Sequence, residues 1–225
     1  MAEYGPAIDR VLKAEGGWTE DPAPTFRGID REQRPDWEGW LRVDVFRRGV
    51  LKKGFPENAL ADEELASSVR LFYKREYWDS IGGDDVPSQA LAERLVDFGV
   101  TSGSADAVRA LQRALNALNA AKFPEDKWPN VAVDGVWGRQ TRSTLRRAFL
   151  LHASGMAPRD LARTSDEAVL RLLETFRDSD GYREAEDLLC LAMRAKQAAH
   201  YLSAAERVPN LRKFARGWLV RAMRG

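Results

Sequence analysis

A chain of 225 residues is long enough for one large domain or two small ones, and it can bury a substantial core. Hydrophobic residues at 44% and charged residues at 31% are in the range of soluble globular proteins, while 35 basic against 34 acidic side chains leave a net charge of +1 that calls for no nucleic acid partner. A single cysteine, Cys190, excludes an intramolecular disulfide and fits synthesis in a reducing compartment.

The first predicted helix carries Ile8, Val11 and Leu12 at helical spacing, with Pro6 in its first turn. Glu15 falls on the same stripe, where a leucine would be expected, and Gly16-Gly17 reads as the helix stop. Burial and the negative end of the helix dipole both disfavour a charged carboxylate there, so Glu15 is expected to hold a proton more tightly than an ordinary glutamate. That suits a general acid, although a buried glutamate bonded to an arginine or to backbone amides would look the same in sequence.

Residues 16–40 are rich in Gly, Pro, Asp and Trp, the composition of a functional loop or small sheet on a scaffold. Thr25-Phe26-Arg27-Gly28-Ile29 reads as one short strand, and Pro35 to Trp40 as a turn that pins two indoles. Trp18 is a candidate for stacking on a sugar ring; for Trp37 and Trp40 a small core holding the loop is the better reading.

A helix is predicted from Gly39 to Val50 with Leu41, Val45 and Phe46 inward. A longer one starts near Asp62, buries Leu65, Val69 and Phe72, and ends in Tyr77-Trp78-Asp79, whose aromatic pair could wall a cleft or simply pack. Pro87 opens a helix with Leu91, Leu95 and Phe98 inward and Asp97 beside them; Gly99 to Gly103 interrupts it. A Ser104-capped helix follows with Val108, Leu111, Leu115 and Leu118, then a polar loop over 119–130 and a tight turn around Asp134-Gly135. Beyond it come a helix with Leu145, Phe149 and Leu150, and one with a capping box from Thr164 to Glu167. The last two are a long helix from about Tyr182 to Leu202 and a basic terminal helix with Leu211, Phe214 and Trp218. Strong strand patterns are absent, so the class is mainly α.

The two histidines, His152 and His200, stand far apart without HExxH or a Cys/His cluster, and neither a metal nor another cofactor is expected. Cys190 sits in an apolar helix and reads as a small core residue and not as a peptidase nucleophile. The N-terminus has no signal-peptide pattern and no run approaches a membrane span, so no stable membrane insertion is expected. The basic terminal helix could rest on an anionic polymer or on lipid head groups; a solvated face is the plainer reading.

In order along the chain, Glu15-Gly16-Gly17-Trp18, Asp21-Pro22, Thr25-x-x-Gly28-Ile29, Pro35-Asp36 and Tyr77-Trp78-Asp79 resemble the glycoside hydrolase 108 family of N-acetylmuramidases, found largely as phage endolysins and prophage lysis proteins. The series continues through Asp97-Phe98 with Ser102-Gly103, Leu111-Gln112-Arg113-Ala114-Leu115 and Val133-Asp134-Gly135-x-x-Gly138. The resemblance implies one lysozyme-like helical unit over 1–225: a glycosidase-motif segment at 8–90, an integrated peptidoglycan-binding-like segment at 93–150, and C-terminal helices at 160–225.

It implies Glu15 as catalytic acid, Asp21 as first candidate for the opposing carboxylate with Asp30 in reserve, and Thr25 to position water. Trp18, Asp30, Tyr77, Trp78, Asp97 and Trp137 are the expected substrate contacts. The substrate implied is peptidoglycan, cut by a monomer made in the host cytoplasm and released to the wall. Three departures stand out: Ala23-Pro24 replaces a common second Asp-Pro-Gly-Gly, Glu20 replaces a frequent Asn, and Thr101 replaces a frequent Asn before Ser102-Gly103. A lytic transglycosylase acting on the same bond, or a non-catalytic wall-binding phage protein, are the alternatives.

Overall fold

A computed structural model describes residues 1–119 and 130–224. The polar loop expected over 119–130 therefore lies, for 120–129, outside the described residues. The chain divides into two compact units, one of residues 4–78 and one of residues 1–3 with 79–225.

The first unit opens with α1 (Tyr4–Glu15), which buries Ala7, Ile8 and Val11. Three two-residue strands follow, β1 (Trp18–Thr19), β2 (Thr25–Phe26) and β3 (Ile29–Asp30), paired antiparallel in that order. The stretch expected to be one strand is thus a hairpin. Arg27 (φ 50°) and Gly28 (φ 79°) make a two-residue turn whose positive dihedrals match the strands' right-handed twist. Helices α2 (Gly39–Arg47), α3 (Glu57–Leu60) and α4 (Glu63–Tyr73) complete the unit, and a π-helical turn over Lys74–Trp78 extends α4.

The indoles of Trp37 and Trp40 form the small core expected of them. Trp37 stacks on Phe26 at 6.2 Å and meets Trp40 edge-on at 5.1 Å, while Trp40 Nε1 donates to the Arg34 carbonyl at 2.8 Å. This anchoring sets the rotation of α2: Trp40 and Val43 point inward, and Leu41 and Val45, expected inside, are exposed.

Asp62 caps α4. Its Oδ1 accepts from the Leu65 amide at 2.9 Å, and the Arg42 guanidinium donates to both its oxygens at 2.6 Å. The Arg42 hydrogen bond holds the Asp62 carboxyl below the usual carboxylate range, with partial burial opposing it. A depressed folded-state value contributes stability that is complete above the unfolded carboxylate range and is lost as pH falls through the lowered value. Asp62→Ala is expected to cost about 1 kcal/mol at neutral pH, as lost caps do, and its denaturation midpoints measured from neutral to acid should converge with those of wild type as the wild-type Asp62 carboxyl protonates.

The second unit contains α5 (Gln89–Ser102), α6 (Ser104–Leu118), α7 (Arg139–Ser154), α8 (Pro158–Arg163), α9 (Asp166–Phe176), α10 (Asp180–Arg207) and α11 (Arg212–Arg224). The 28-residue α10 packs against α5, α6, α7 and α11, burying Leu189, Met193 and Tyr201. Three local expectations are corrected. Helix α5 runs through Gly99, which is buried against Ser104, and breaks only at Gly103 (φ 94°). Ser104 is the first residue of α6 and not its cap. Ser165, not Thr164, caps α9, accepting from the Ala168 amide.

Buried Gln112 explains the paired Leu-Gln-Arg and Val-Asp-Gly motifs structurally. Its Nε2 donates to Asp134 Oδ1 at 2.8 Å and to Thr141 Oγ1 at 3.1 Å, and its Oε1 accepts from the Gly135 amide at 3.0 Å. Cys190 is buried in α10, where burial pushes its thiol up to about 11, the setting of a core residue and not of a nucleophile.

Candidate active site

Glu15 is the last residue of α1 because Gly16 adopts φ 75°, the left-handed conformation that closes a helix. The chain then doubles back through β1 and β2, and the hairpin turn returns to the helix end. The Arg27 amide donates to the Gly17 carbonyl at 2.6 Å. A Cβ placed on Gly28 would lie 2.8 Å from Glu15 Oε2 and 2.5 Å from Tyr73 Oη. Only a glycine allows the half-buried Glu15 carboxylate and the Tyr73 hydroxyl to close on the turn together.

Tyr73 is the residue that sequence reasoning missed. It is buried on α4, and its hydroxyl donates to the Arg27 carbonyl at 2.8 Å, fastening the turn against the end of α1. Its place four residues after Val69 on the apolar stripe could have flagged it as inward, but nothing in the sequence told of its partner.

Tyr77 follows Tyr73 on the same side, with ring centroids 5.5 Å apart. Burial pushes its phenol up; the field of Glu15 acts in the same direction, and Arg34 opposes it. Tyr77 is therefore a neutral hydrogen-bond donor in the electrostatic neighbourhood of Glu15. Arg34 is itself held by Glu76 at 2.9 Å.

The strand register places Thr19, Thr25 and Asp30 opposite one another on one face, and Trp18, Phe26 and Ile29 on the other. Phe26 and Ile29 are buried, so the polar row is the face turned from the core. Thr25 Oγ1 donates to the Ala23 carbonyl at 3.1 Å, which leaves its lone pairs for an incoming donor. The Oδ1 of Asp30 is occupied by the Glu32 and Gln33 amides at 2.8 and 3.2 Å. Asp21 is exposed; its amide donates to Thr19 Oγ1, and its carboxylate has no partner among the described residues.

Trp18 is half-buried, edge-on to Phe55 at 5.0 Å and under the Arg47 guanidinium at 4.9 Å. Arg47 also pairs with Glu20 at 2.8 Å, so Glu20, the departure from Asn, helps to hold this indole.

Three expected substrate contacts have other employment. Trp78 is fully buried, edge-on to Tyr4, and offers no face to a sugar. Asp97, in the second unit, accepts from Arg221 Nε at 2.7 Å and Gln197 Nε2 at 2.8 Å, joining α5, α10 and α11. Thr101 belongs to the same network, its Oγ1 accepting from Tyr201 Oη at 2.8 Å. Trp137 lies close over Gly82, where a Cβ would come within 1.8 Å of its Nε1. Among the described residues no group of three His, Cys, Asp or Glu side chains could hold a metal ion, and no helix is long and apolar enough to cross a membrane.

The sequence pattern of the family described as Glycosyl hydrolase 108 matches residues 8–103. Among solved structures, Brucella abortus SagA is similar in fold, with a TM-score of 0.51 and 21% identity over 98% of this chain and 90% of that one. No curated protein matches the chain. The fold is accordingly mainly α and lysozyme-like, with a small three-stranded sheet. The matched residues 8–103 run from within α1 to the end of α5 and include Glu15 and the hairpin packed on it, so this stretch is similar to the glycosyl hydrolase 108 family.

Proposed function

We propose that the chain is a peptidoglycan hydrolase, an N-acetylmuramidase of the endolysin type that cleaves the β-1,4 bond between N-acetylmuramic acid and N-acetylglucosamine. The observation that carries this reading is the half-buried Glu15 at the end of α1, closed in by the Gly28 turn and neighboured by the neutral Tyr77 phenol. A carboxylic acid so placed can give its proton to the glycosidic oxygen as the bond to the anomeric carbon breaks.

The oxocarbenium-like sugar left behind needs a nucleophile on its opposite face. The Asp21 carboxylate, uncommitted and exposed, takes a proton from the attacking water, and Thr25, its own hydroxyl proton donated to Ala23, accepts a hydrogen bond from that water. Tyr77 and Trp18 are proposed as sugar contacts. The substrate lies outside the cytoplasmic membrane, so the monomer acts after release to the wall.

Solubilisation of purified sacculi tests the assignment of the second carboxylate. Asp21→Asn is expected to lose about 100-fold in rate, the usual worth of a positioned general base, with unchanged thermal stability. Asp30→Ala, which removes the oxygen that holds the Glu32 and Gln33 amides, should chiefly lower stability. The reverse pattern would exchange the two roles.

A further inference from the structure

On the first unit a pocket of about 180 Å³ lies beside α4 and shares Glu38, Ser68 and Leu71 with a neighbouring hollow of about 440 Å³. Two polar atoms in its lining, Trp37 Nε1 and Ser68 Oγ, are buried without a hydrogen-bond partner. Burying an unsatisfied donor costs free energy, and the indole N–H can only donate, so the site calls for an acceptor oxygen. Trp37 is only 7% exposed, and its ring is locked over Gly39, where a Cβ would fall 2.2 Å from Cζ2. The donor is therefore fixed in direction before any ligand arrives.

We propose that this groove, whose lining does not include Glu15, is a second glycan-binding site that recognises the acetamido group of a neutral N-acetylated sugar. The class of sugar rests on the reading of the chain as a peptidoglycan glycosidase. The acetamido carbonyl accepts from Trp37 Nε1, and Leu71 and Phe72 supply apolar surface for the methyl group and the sugar face. Ser68 Oγ meets a ring hydroxyl. Asp36 and Glu38, whose carboxylates have no partner among the described residues, accept from the amide N–H and from hydroxyls. With Glu76 these two carboxylates outnumber Arg75, the cation in the same lining, so the pocket repels the acidic groups of a stem peptide and favours unsubstituted N-acetylglucosamine units.

The test is a titration of the full-length Glu15→Gln protein, which does not turn over, with a soluble oligomer of N-acetylglucosamine, followed by the indole N–H resonances. The Trp37 resonance, assigned by its loss in Trp37→Phe, is expected to shift saturably. Ser68→Ala should weaken binding about tenfold, the loss of one well-made hydrogen bond, and Ser68→Leu, which fills the pocket, should abolish the shift. A Trp37 resonance that does not move overturns the proposal, as does a shift that survives Ser68→Leu or is produced preferentially by a stem peptide. Wild type that solubilises sacculi while Trp37 stays silent would sink this site alone. A Trp37 shift in a protein that never cleaves sacculi would sink the hydrolase reading alone.

Discussion

Glu15→Gln is expected to lower the rate of sacculus solubilisation by about a thousandfold while leaving the thermal midpoint and circular dichroism spectrum unchanged, as loss of a positioned acid does. Glutamine keeps the size of the side chain, so the packing of Oε2 near Gly28 survives and only the transferable proton is removed. The residue occupies the end of a twelve-residue helix whose buried face is Ala7, Ile8 and Val11, and the substitution leaves the packing of that face untouched. Activity within a few-fold of wild type would show that Glu15 only holds the loop.

Gly28→Ala should have the second large effect, and on stability as well as rate. The added methyl would lie 2.5 Å from Tyr73 Oη and 2.8 Å from Glu15 Oε2, and the backbone at φ 79° is one that a side chain rarely adopts. Strain and overpacking together predict a loss of about 3 kcal/mol, readable by chemical denaturation. Below the transition, where the variant is folded, cleavage should still be impaired because the Glu15 carboxylate has been displaced. Adding Tyr73→Phe removes the nearest clash and should recover part of the stability, although it gives up the bond to the Arg27 carbonyl. It should not recover activity, since the contact with Glu15 remains. Full rescue of both would place the damage at Tyr73 alone.

The helices were legible because their apolar residues recur at the helical period: Leu65 and Val69, Leu91 and Leu95, and Leu111 and Leu115 are all buried. Glu15 was legible for the converse reason, as an acidic residue on such a stripe followed by glycines. Where periodicity was short the reading failed. The nine residues of α2 take their rotation from Trp37 and Trp40 packing on Phe26 and on each other, a tertiary fact that left Leu41 and Val45 outside. Two-residue strands are too short for alternation to show, so the hairpin at Arg27-Gly28 read as a single strand.

The candidate site was legible in its acid and less so in its surroundings. Tyr73 acts through a hydrogen bond to a backbone carbonyl 46 residues away, for which no local pattern exists. Trp78 and Asp97 belong to recognisable motifs, yet one is core and the other a junction of three helices. A motif shows that a residue type is required at a position, and only its partners show whether the requirement is chemical or structural.

The most direct measurement is mass spectrometry of the soluble fragments released from purified sacculi by the wild-type protein. The account predicts disaccharide peptides that end in reducing N-acetylmuramic acid, carry one added water, and are absent when Glu15→Gln is used. Fragments ending in 1,6-anhydro-N-acetylmuramic acid would instead mean that the sugar's own hydroxyl, and not an Asp21-activated water, attacks the anomeric carbon. Equal release by Glu15→Gln, or no fragments from wild type, would contradict the account at its centre.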